Sequence, residues 1–216
     1  MHTRHSTLLL AGHLLQRIDF DPASFQPADL LWLPHHALLA AGGRKRQTEH
    51  LAGRIAAVHA LREVGEKMPP PPGEQRQPLW PAPWFGSISH CENSALAVVS
   101  SYPIGIDIER CLTPALAAEL ESSIINAAEK PLLAASGLPF ALALTLAFSA
   151  KESGFKAWST YATDLPGFHS AQIIAMDADT LHLRFNAAFS AILENITIRI
   201  NWLIIPPYII TCTRYR

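Results

Sequence analysis

Apolar residues recur along this chain with two different periods, and each period predicts a different kind of element. Over residues 43–64 they recur at three- and four-residue spacing, which is typical of a helix with one buried face. The stripe predicted to enter the core comprises Leu51, Ile55, Val58 and Leu61. We also predict a helix over residues 28–39 and an edge strand over residues 8–20. Seven prolines within residues 68–83 exclude regular helix, so this stretch is predicted to be extended.

Short runs of β-branched and apolar residues predict the strands. In the first half of the chain they cover residues 86–89, 94–100 and 104–109. The second half begins with helices predicted at 114–135 and 140–158, and ends with strands predicted at 172–175, 180–186, 197–204 and 208–215. Both halves place helices before strands. We therefore predict an α/β (α+β) fold with an N-terminal half over residues 1–110 and a C-terminal half over residues 111–216.

Composition and charge narrow the class of protein. Hydrophobic residues make up 49% of the 216 residues and the formal net charge is −1, so bulk electrostatics does not favour a nucleic-acid binder. Three cysteines without a CxxC pattern fit a reducing cytoplasm better than a disulfide scaffold. The apolar C-terminal run contains Arg199 and the pair Pro206-Pro207, so we predict strands there and no transmembrane segment. We expect a cytoplasmic monomer.

Asp107 and Glu109 are the first candidates for chemistry. They lie two residues apart on a predicted strand and therefore share one face, while Ile106 and Ile108 share the other. Neighbouring carboxylates repel unless a cation lies between them, and Mg²⁺ prefers such oxygen ligands. The alternative is a strand end with two solvated acidic residues.

Glu152 and Lys156 are the second group of candidates. Ser149 followed by Glu152 also matches a capping box, in which Glu152 would only bond to its own helix start. Glu152 and Lys156 are four residues apart and could equally form a surface ion pair. Three aromatic residues nearby, Phe148, Phe155 and Trp158, indicate instead a partly buried face. A carboxylate and lysines on such a face predict a phosphate and metal site.

A basic block offers a third group of candidates. Arg46 lies near a predicted helix start and Arg54 follows eight residues later, which is roughly 80° around a helix. Despite this angle, both long side chains could still reach one phosphate. The alternative is a solvated basic turn. A nucleic-acid interface is disfavoured because no larger basic field or aromatic platform surrounds the block.

Four motifs, at residues 43–54, 86–90, 105–109 and 148–156, together resemble the 4′-phosphopantetheinyl transferase family. The resemblance implies two similar α/β halves related by a pseudo-two-fold axis, with the active site in the cleft between them. It implies Mg²⁺-dependent transfer of 4′-phosphopantetheine from coenzyme A to a serine of carrier-protein domains. Within the family, the chain resembles members that activate a siderophore-type nonribosomal peptide synthase. The resemblance lies in the amino-acid sequence at residues 30–35, 44–57 and 148–156. The implied partners are its aryl and peptidyl carrier domains.

The resemblance also implies roles for individual residues. The implied metal ligands are Asp107, Glu109 and Glu152. The implied contacts to coenzyme A are Arg46, Arg54, Ser89, His90, Lys151 and Lys156. Glu152, directly or through a water, would help to remove the serine proton, and Lys156 would stabilise the leaving phosphate. Without the resemblance, His90 would be read as a structural residue after a strand.

Two other classes of function stay open from the residues alone. One is a different Mg²⁺-dependent enzyme that cleaves a nucleotide diphosphate. The other is a non-catalytic coenzyme A-binding scaffold of a synthase complex. The three carboxylates and Lys156 argue against the scaffold, because a scaffold has no need of them.

Overall fold

The computed structural model describes residues 1–163 and 166–214 and divides into two compact units. One unit comprises Met1–Leu9 and His13–Pro103; the other comprises Leu10–Gly12 and the chain from Ile104 onward. Each unit combines one β-sheet with packed helices, so the predicted α+β class is confirmed. None of the described helices combines the length and the apolar character that crossing a membrane requires.

The first unit is a four-stranded sheet covered by one long helix. Its elements are β1 (His2–Leu10), β2 (His13–Asp21), α1 (Arg44–Arg62), β3 (Phe85–Cys91) and β4 (Ser94–Ser100), with the sheet order β1-β2-β4-β3. The single edge strand predicted at residues 8–20 is wrong, because Ala11 and Gly12 both adopt positive φ and divide the segment into a hairpin.

Helix α1 packs on this sheet through small residues. Ala52, Ala56, Ala57 and Ala60 form a buried cluster with Ile18, Phe20, Ala95 and Ala97. The predicted stripe is confirmed for Leu51, Val58 and Leu61, which are buried, whereas Ile55 is only partly buried. Gly53 lets the helix approach β3, because a Cβ atom there would lie 2.9 Å from Cγ2 of Ile88.

The helix predicted over residues 28–39 is also wrong. The segment contains two short 3₁₀ helices, Pro27–Trp32 and His36–Leu39. Pro34 lies between them and has no backbone N–H to donate, and it disfavours helical geometry at Leu33. Leu33 instead is extended, with φ −91° and ψ 126°, and its side chain is buried.

The second unit is a five-stranded sheet with three helices. Its elements are β5 (Ile106–Arg110), α2 (Pro114–Ile124), α3 (Lys130–Ala135), α4 (Phe140–Trp158), β6 (Ala171–Met176), β7 (Thr180–Phe185), β8 (Thr197–Ile205) and β9 (Tyr208–Arg214). The sheet order is β5-β9-β8-β7-β6. The sequence assigned β5 to the N-terminal half, whereas its partner in the structure is β9.

The helix predicted at 114–135 is interrupted, and this break matters for the site. Side-chain Oδ1 of Asn126 accepts hydrogen bonds from the backbone N–H groups of Ala128 and Glu129, which forms a turn between α2 and α3. Pro131 then lies in the first turn of α3, where a missing N–H costs nothing. The turn carries Glu129 into the core.

Helix α4 lies unusually close to the start of β5. At Gly105, an added Cβ atom would overlap the carbonyl oxygen of Ser153 and lie 2.8 Å from the nitrogen of Ala157. Buried hydroxyls hold the same part of α4 to β9: Oγ1 of Thr211 lies 2.9 Å from Oγ of Ser149 and 2.6 Å from Oγ of Ser153. The position of α4 relative to β5 is therefore fixed by close backbone approach and by hydrogen bonds.

We expect Gly105→Ala to destabilise the protein by about 1–3 kcal/mol, because the new methyl group must push α4 away from β5. The free energy of unfolding from urea titration measures the effect. The matched control is Gly167→Ala in the same unit, where a Cβ atom meets nothing within 4 Å and φ is −72°. Equal stability of the two variants would contradict this account of α4 packing.

Candidate active site

Three acidic side chains and one lysine of the second unit form an acidic cluster. Strand β5 places Asp107 and Glu109 on one face, while Ile106 and Ile108 are fully buried on the other. Helix α4 supplies Glu152 and Lys156. The Lys156 ammonium donates to Oδ1 of Asp107 at 2.6 Å and to the carbonyl oxygen of Ile106 at 3.3 Å. The structure thus brings together Asp107, Glu109, Glu152 and Lys156, as the sequence predicts.

The carboxyl groups of this cluster influence one another. Burial raises the pKa of Glu109 to about 7; the charges of Asp107 and Glu152 raise it further, against the opposing charge of Lys156. Burial likewise raises the pKa of Glu152, with Lys156 lowering it and Asp107 raising it. More negative charge is therefore collected here than one ammonium group can balance.

Of the two structural alternatives for the second motif, one is wrong and the other is incomplete. Ser149 lies inside α4 and not at its start, and its buried hydroxyl contacts Thr211, so the capping-box interpretation is wrong. Lys156 bonds to Asp107 on β5, so it joins two elements rather than serving only as a surface partner of Glu152 on the same helix. These contacts attach α4 to both β9 and β5 through the motif.

The acidic cluster suits a hard divalent cation by its donor chemistry. All three acidic side chains offer carboxylate oxygens, the ligands that Mg²⁺ prefers. Asp107 raises the pKa of both Glu109 and Glu152, and Glu152 raises that of Glu109. Among the described residues, no group of three or more metal-binding side chains already has the arrangement of a metal site. The positive charge within the cluster comes from Lys156, whose ammonium lies on an oxygen of Asp107.

Lys151 lies next to Glu152 in sequence but has a different environment. Its ammonium is 2.7 Å from Oε1 of Glu129 and donates to the carbonyl oxygen of Ile124 at 2.8 Å. The side chains of Lys151 and Glu129 are 2% and 0% exposed. Burial lowers the pKa of Lys151, and the adjacent Glu129 opposes that shift. The sequence predicted Lys151 as a helper at the phosphates, and that contact stays a prediction.

Glu129 is a residue that the sequence analysis missed. Its carboxylate also accepts hydrogen bonds from the backbone N–H groups of Asn126 and Ile173, both at 2.8 Å. It therefore joins the α2–α3 turn, β6 and α4 at one buried point. The only sequence signal was a turn-forming Asn126 three residues before an acidic residue, inside a segment predicted as continuous helix.

A pocket opens beside Glu152. Its volume is about 340 Å³, with Lys151 and Glu152 on its wall and aromatic rings of Phe155, Phe168 and Phe189 around it. The lining combines a carboxylate with a broad apolar surface. Such a lining suits a ligand with an extended apolar part and a polar end.

The basic block of the first unit contains a buried arginine. Arg54 on α1 is 5% exposed, and burial lowers its pKa to about 10. Within the described part of the chain, its Nε has no hydrogen-bond partner and no carboxylate forms an ion pair with it. A buried cation without an anion is costly, so an anionic ligand is the natural partner of Arg54.

The remaining candidates of the first unit differ in exposure. Arg46 lies on the first turn of α1 and is exposed. Ser89 on β3 is buried, whereas His90 on the same strand is exposed, with its Nδ1 3.9 Å from Oε1 of Glu49. Arg44 has a structural role, because its guanidinium donates to the carbonyl oxygens of Pro22, Ala23 and Phe25.

Two histidines beside the basic block were given no role by the sequence analysis. Nε2 of His35 lies 2.8 Å from Nε2 of His50, and the rings meet edge to face. His50 lies on α1 one turn before Arg54. Burial, followed by the charges of Arg54, His35, Arg46 and His90, lowers the pKa of His50 to about 3. Two histidines with lowered pKa values therefore lie beside the predicted arginines.

Comparisons with known proteins agree with the motifs. Residues 34–100 match the 4′-phosphopantetheinyl transferase N-terminal domain, and residues 103–212 match the 4′-phosphopantetheinyl transferase superfamily. Enterobactin synthase component D of Salmonella typhi is 55% identical over 202 residues, covering 94% of this chain and 86% of the relative. That of Escherichia coli (strain K12) is 61% identical over 175 residues, covering 81% and 84%. The 4′-phosphopantetheinyl transferase Npt of Nocardia iowensis is 32% identical over 169 residues, covering 70% and 73%.

Glu129→Gln is expected to cost about 3–5 kcal/mol of stability, because it leaves the buried Lys151 ammonium without a counter-charge. Urea denaturation measures the loss. Adding Lys151→Met should recover most of it, since the double variant has no buried charge at this point. The matched control is Glu121→Gln: its carboxylate lies 2.6 Å from the partly exposed Lys130, and breaking that surface pair should cost less than about 1 kcal/mol. Similar losses for Glu129→Gln and Glu121→Gln would refute the buried pair.

Proposed function

Since this chain belongs to the 4′-phosphopantetheinyl transferase superfamily, we propose that it loads 4′-phosphopantetheine onto carrier domains of an enterobactin-type synthase. The family predicted from the four motifs is confirmed, and with it coenzyme A as the substrate. Relatives named enterobactin synthase component D support a siderophore synthase as the partner. Action as a cytoplasmic monomer stays a prediction.

The observation that carries the mechanism is the acidic cluster on β5 and α4. Asp107, Glu109 and Glu152 concentrate negative charge around one ammonium, that of Lys156. A protein gains nothing in stability from crowding like charges, whereas a reaction centre for phosphates requires cation ligands and a mobile positive group. We therefore place the diphosphate chemistry at this cluster.

The proposed reaction is one displacement at phosphorus. The hydroxyl oxygen of a carrier serine bonds to the β-phosphorus of coenzyme A, and the bond from that phosphorus to the bridging oxygen breaks. Adenosine 3′,5′-bisphosphate leaves, and phosphopantetheine stays on the serine. Glu152 accepts the serine proton, directly or through a water, and Lys156 donates to the leaving phosphate as its charge develops.

Mg²⁺ is the ion that this donor set suits, with Asp107, Glu109 and Glu152 as its proposed ligands. When bound, the ion would neutralise charge on the diphosphate. Lys156 already contacts Asp107, so the same lysine can move between a carboxylate oxygen and a phosphate oxygen without leaving the cluster.

The basic block is the proposed site of the 3′-phosphate of coenzyme A. The buried guanidinium of Arg54 lacks an anion among the described residues, and Arg46 lies two turns earlier on the same helix. Ser89 and His90 on β3 are the proposed contacts to the rest of the nucleotide. The pocket beside Glu152 has an apolar wall that suits the pantetheine arm.

One assay tests the proposal and separates it from the alternatives. The protein is incubated with coenzyme A, Mg²⁺ and an apo carrier domain, and the carrier is analysed by intact mass. A gain of one phosphopantetheine supports transfer. Release of nucleotide without carrier modification would point to a hydrolase, and an unchanged mixture to a scaffold.

In this assay we expect Glu152→Gln to abolish transfer and Lys156→Met to lower kcat by about 100-fold or more. The loss at Lys156 should fall on turnover much more than on coenzyme A affinity, because its contact strengthens as charge develops on the leaving phosphate. Steady-state kinetics and a separate binding titration distinguish the two. Lys130→Met, which alters a lysine of the surface pair with Glu121, is the control. Near-normal turnover of Lys156→Met would remove that residue from the mechanism.

A second prediction concerns the 3′-phosphate. A hydrogen bond to a charged group is worth roughly 1.5–3 kcal/mol, so each arginine contact should favour coenzyme A over dephospho-coenzyme A about ten- to hundred-fold. Arg54→Met should shrink this preference in kcat/KM and leave stability equal or higher, because it removes a buried charge without an ion-pair partner. Arg46→Met should also shrink the preference.

Lys45→Met is the control, since Lys45 is exposed beside Glu49 on the same turn. If Arg54→Met and Arg46→Met keep the wild-type preference, the basic block is only a surface feature. A marked loss of stability in Arg54→Met would give the buried guanidinium a structural role instead.

A further inference from the structure

His35 and His50, called here the histidine pair, make a contact that restricts their charge. Their Nε2 atoms are 2.8 Å apart. One imidazole must carry hydrogen on Nε2 and donate, while the other must present a bare Nε2 and accept. Two imidazolium rings cannot make this contact, because both nitrogens would be donors. At least one ring of the pair is therefore neutral.

Burial and the surrounding charges both favour the neutral state of the histidine pair. Arg54 and Arg46 on α1 and His90 on β3 face His50, and Arg54 and His36 face His35. A carboxylate also lies near these positive charges: Oε1 of Glu49 is 3.9 Å from Nδ1 of His90 and 3.9 Å from Nζ of Lys45. Burial and these positive charges lower the pKa of both histidines. Burial is the larger cause, and the charge of Arg54 is the largest electrostatic contribution from a neighbour.

We propose that the histidine pair belongs to the 3′-phosphate site of coenzyme A and takes up one proton from solvent when that phosphate binds. The inference rests on the proposed function, which assigns Arg54 and Arg46 to the same phosphate. No bond of coenzyme A is made or broken in this step. The lone pair of one imidazole nitrogen accepts a proton, and the resulting imidazolium faces the phosphate dianion.

The sign of the effect follows from electrostatics. A phosphate dianion beside Arg54 carries more negative charge than the guanidinium carries positive charge. The net charge near the histidine pair therefore changes from positive to negative. Nearby negative charge raises the pKa of an imidazole, so the charged form becomes favourable. The bound protein then holds more protons than the free protein. By linkage, affinity for the 3′-phosphate falls as pH rises between the free-state and bound-state pKa values of the pair. A ligand without a 3′-phosphate should lack this dependence.

Calorimetry with the reaction product tests the inference without any turnover. Adenosine 3′,5′-bisphosphate is titrated into the protein at about pH 7.5 in two buffers with different enthalpies of ionisation. The slope of apparent binding enthalpy against buffer ionisation enthalpy counts the protons taken up. At that pH the phosphate is already almost fully ionised, since its second pKa is near 6, and a basic site can only drive protons off it. Uptake must therefore come from the protein.

For the wild type we expect uptake of about half a proton to one proton per bisphosphate, and none with adenosine 5′-monophosphate. His50→Gln and His35→Gln should each remove the uptake and weaken the bisphosphate about ten-fold, while binding of the monophosphate is unchanged. The second variant guards against misfolding of the first. His59→Gln is the matched control: His59 is a half-buried histidine of the same helix, stacked on His5.

Two results would overturn the inference. One is tight bisphosphate binding by the wild type without proton uptake. The other is uptake that survives both His50→Gln and His35→Gln, which would place the titrating group elsewhere. Failure of the proposed function would look different, because the carrier would gain no mass in the transfer assay even though bisphosphate binding remained proton-coupled.

Discussion

Glu129 and Lys151 bring opposite full charges to a point where neither reaches water, and most of the second unit is arranged around that contact. The carboxylate binds the ammonium together with backbone N–H groups of the α2–α3 turn and of β6, and the ammonium also binds the last turn of α2. Both carboxylate oxygens of Glu129 and the ammonium of Lys151 thus have hydrogen-bond partners in the protein in place of water. Such a pair adds little net stability compared with apolar packing. Its effect is geometric, because any rotation or slide of α4 would separate the two charges.

The two units hold their excess charge in opposite ways. In the second unit, three carboxylates share Lys156, so the cluster stays negative and favours cations. In the first unit, Arg54 is buried without an ion-pair partner among the described residues, and burial together with the charge of Arg54 lowers the pKa of His50. Coenzyme A carries phosphates of both kinds: a diphosphate that needs a cation to approach carboxylates, and a 3′-phosphate that pairs directly with guanidinium. We therefore propose that the excess charge of each unit corresponds to a different part of one substrate.

The sequence predicted those features of the fold that depend on residues close together along the chain. The bounds of α4, the paired faces of β5 and the leucine and valine stripe of α1 all follow from local periodicity. The prediction of a helix at 28–39 is wrong because Pro34 interrupts the apolar pattern. The prediction of one strand at 8–20 is wrong because Ala11 and Gly12 reverse the direction of the chain. The contacts of Glu129 and of the histidine pair could not be predicted from the sequence. Their partners lie 22 and 15 residues away, and no local pattern encodes a contact between side chains that only tertiary packing brings together.

The adjacent Lys151 and Glu152 show how one motif can serve structure and chemistry together. Neighbouring residues on a helix point about 100° apart, so their side chains leave the helix in different directions. Lys151 is held by Glu129 and the end of α2, whereas Glu152 joins Asp107 and Glu109 beside β5. Fixing the lysine fixes the rotation of α4, and that rotation sets where the carboxylate lies. Gly105 and the hydroxyls on Thr211 then set how closely the helix approaches the strands. The position of the Glu152 carboxylate thus depends on a buried ion pair that itself adds little net stability.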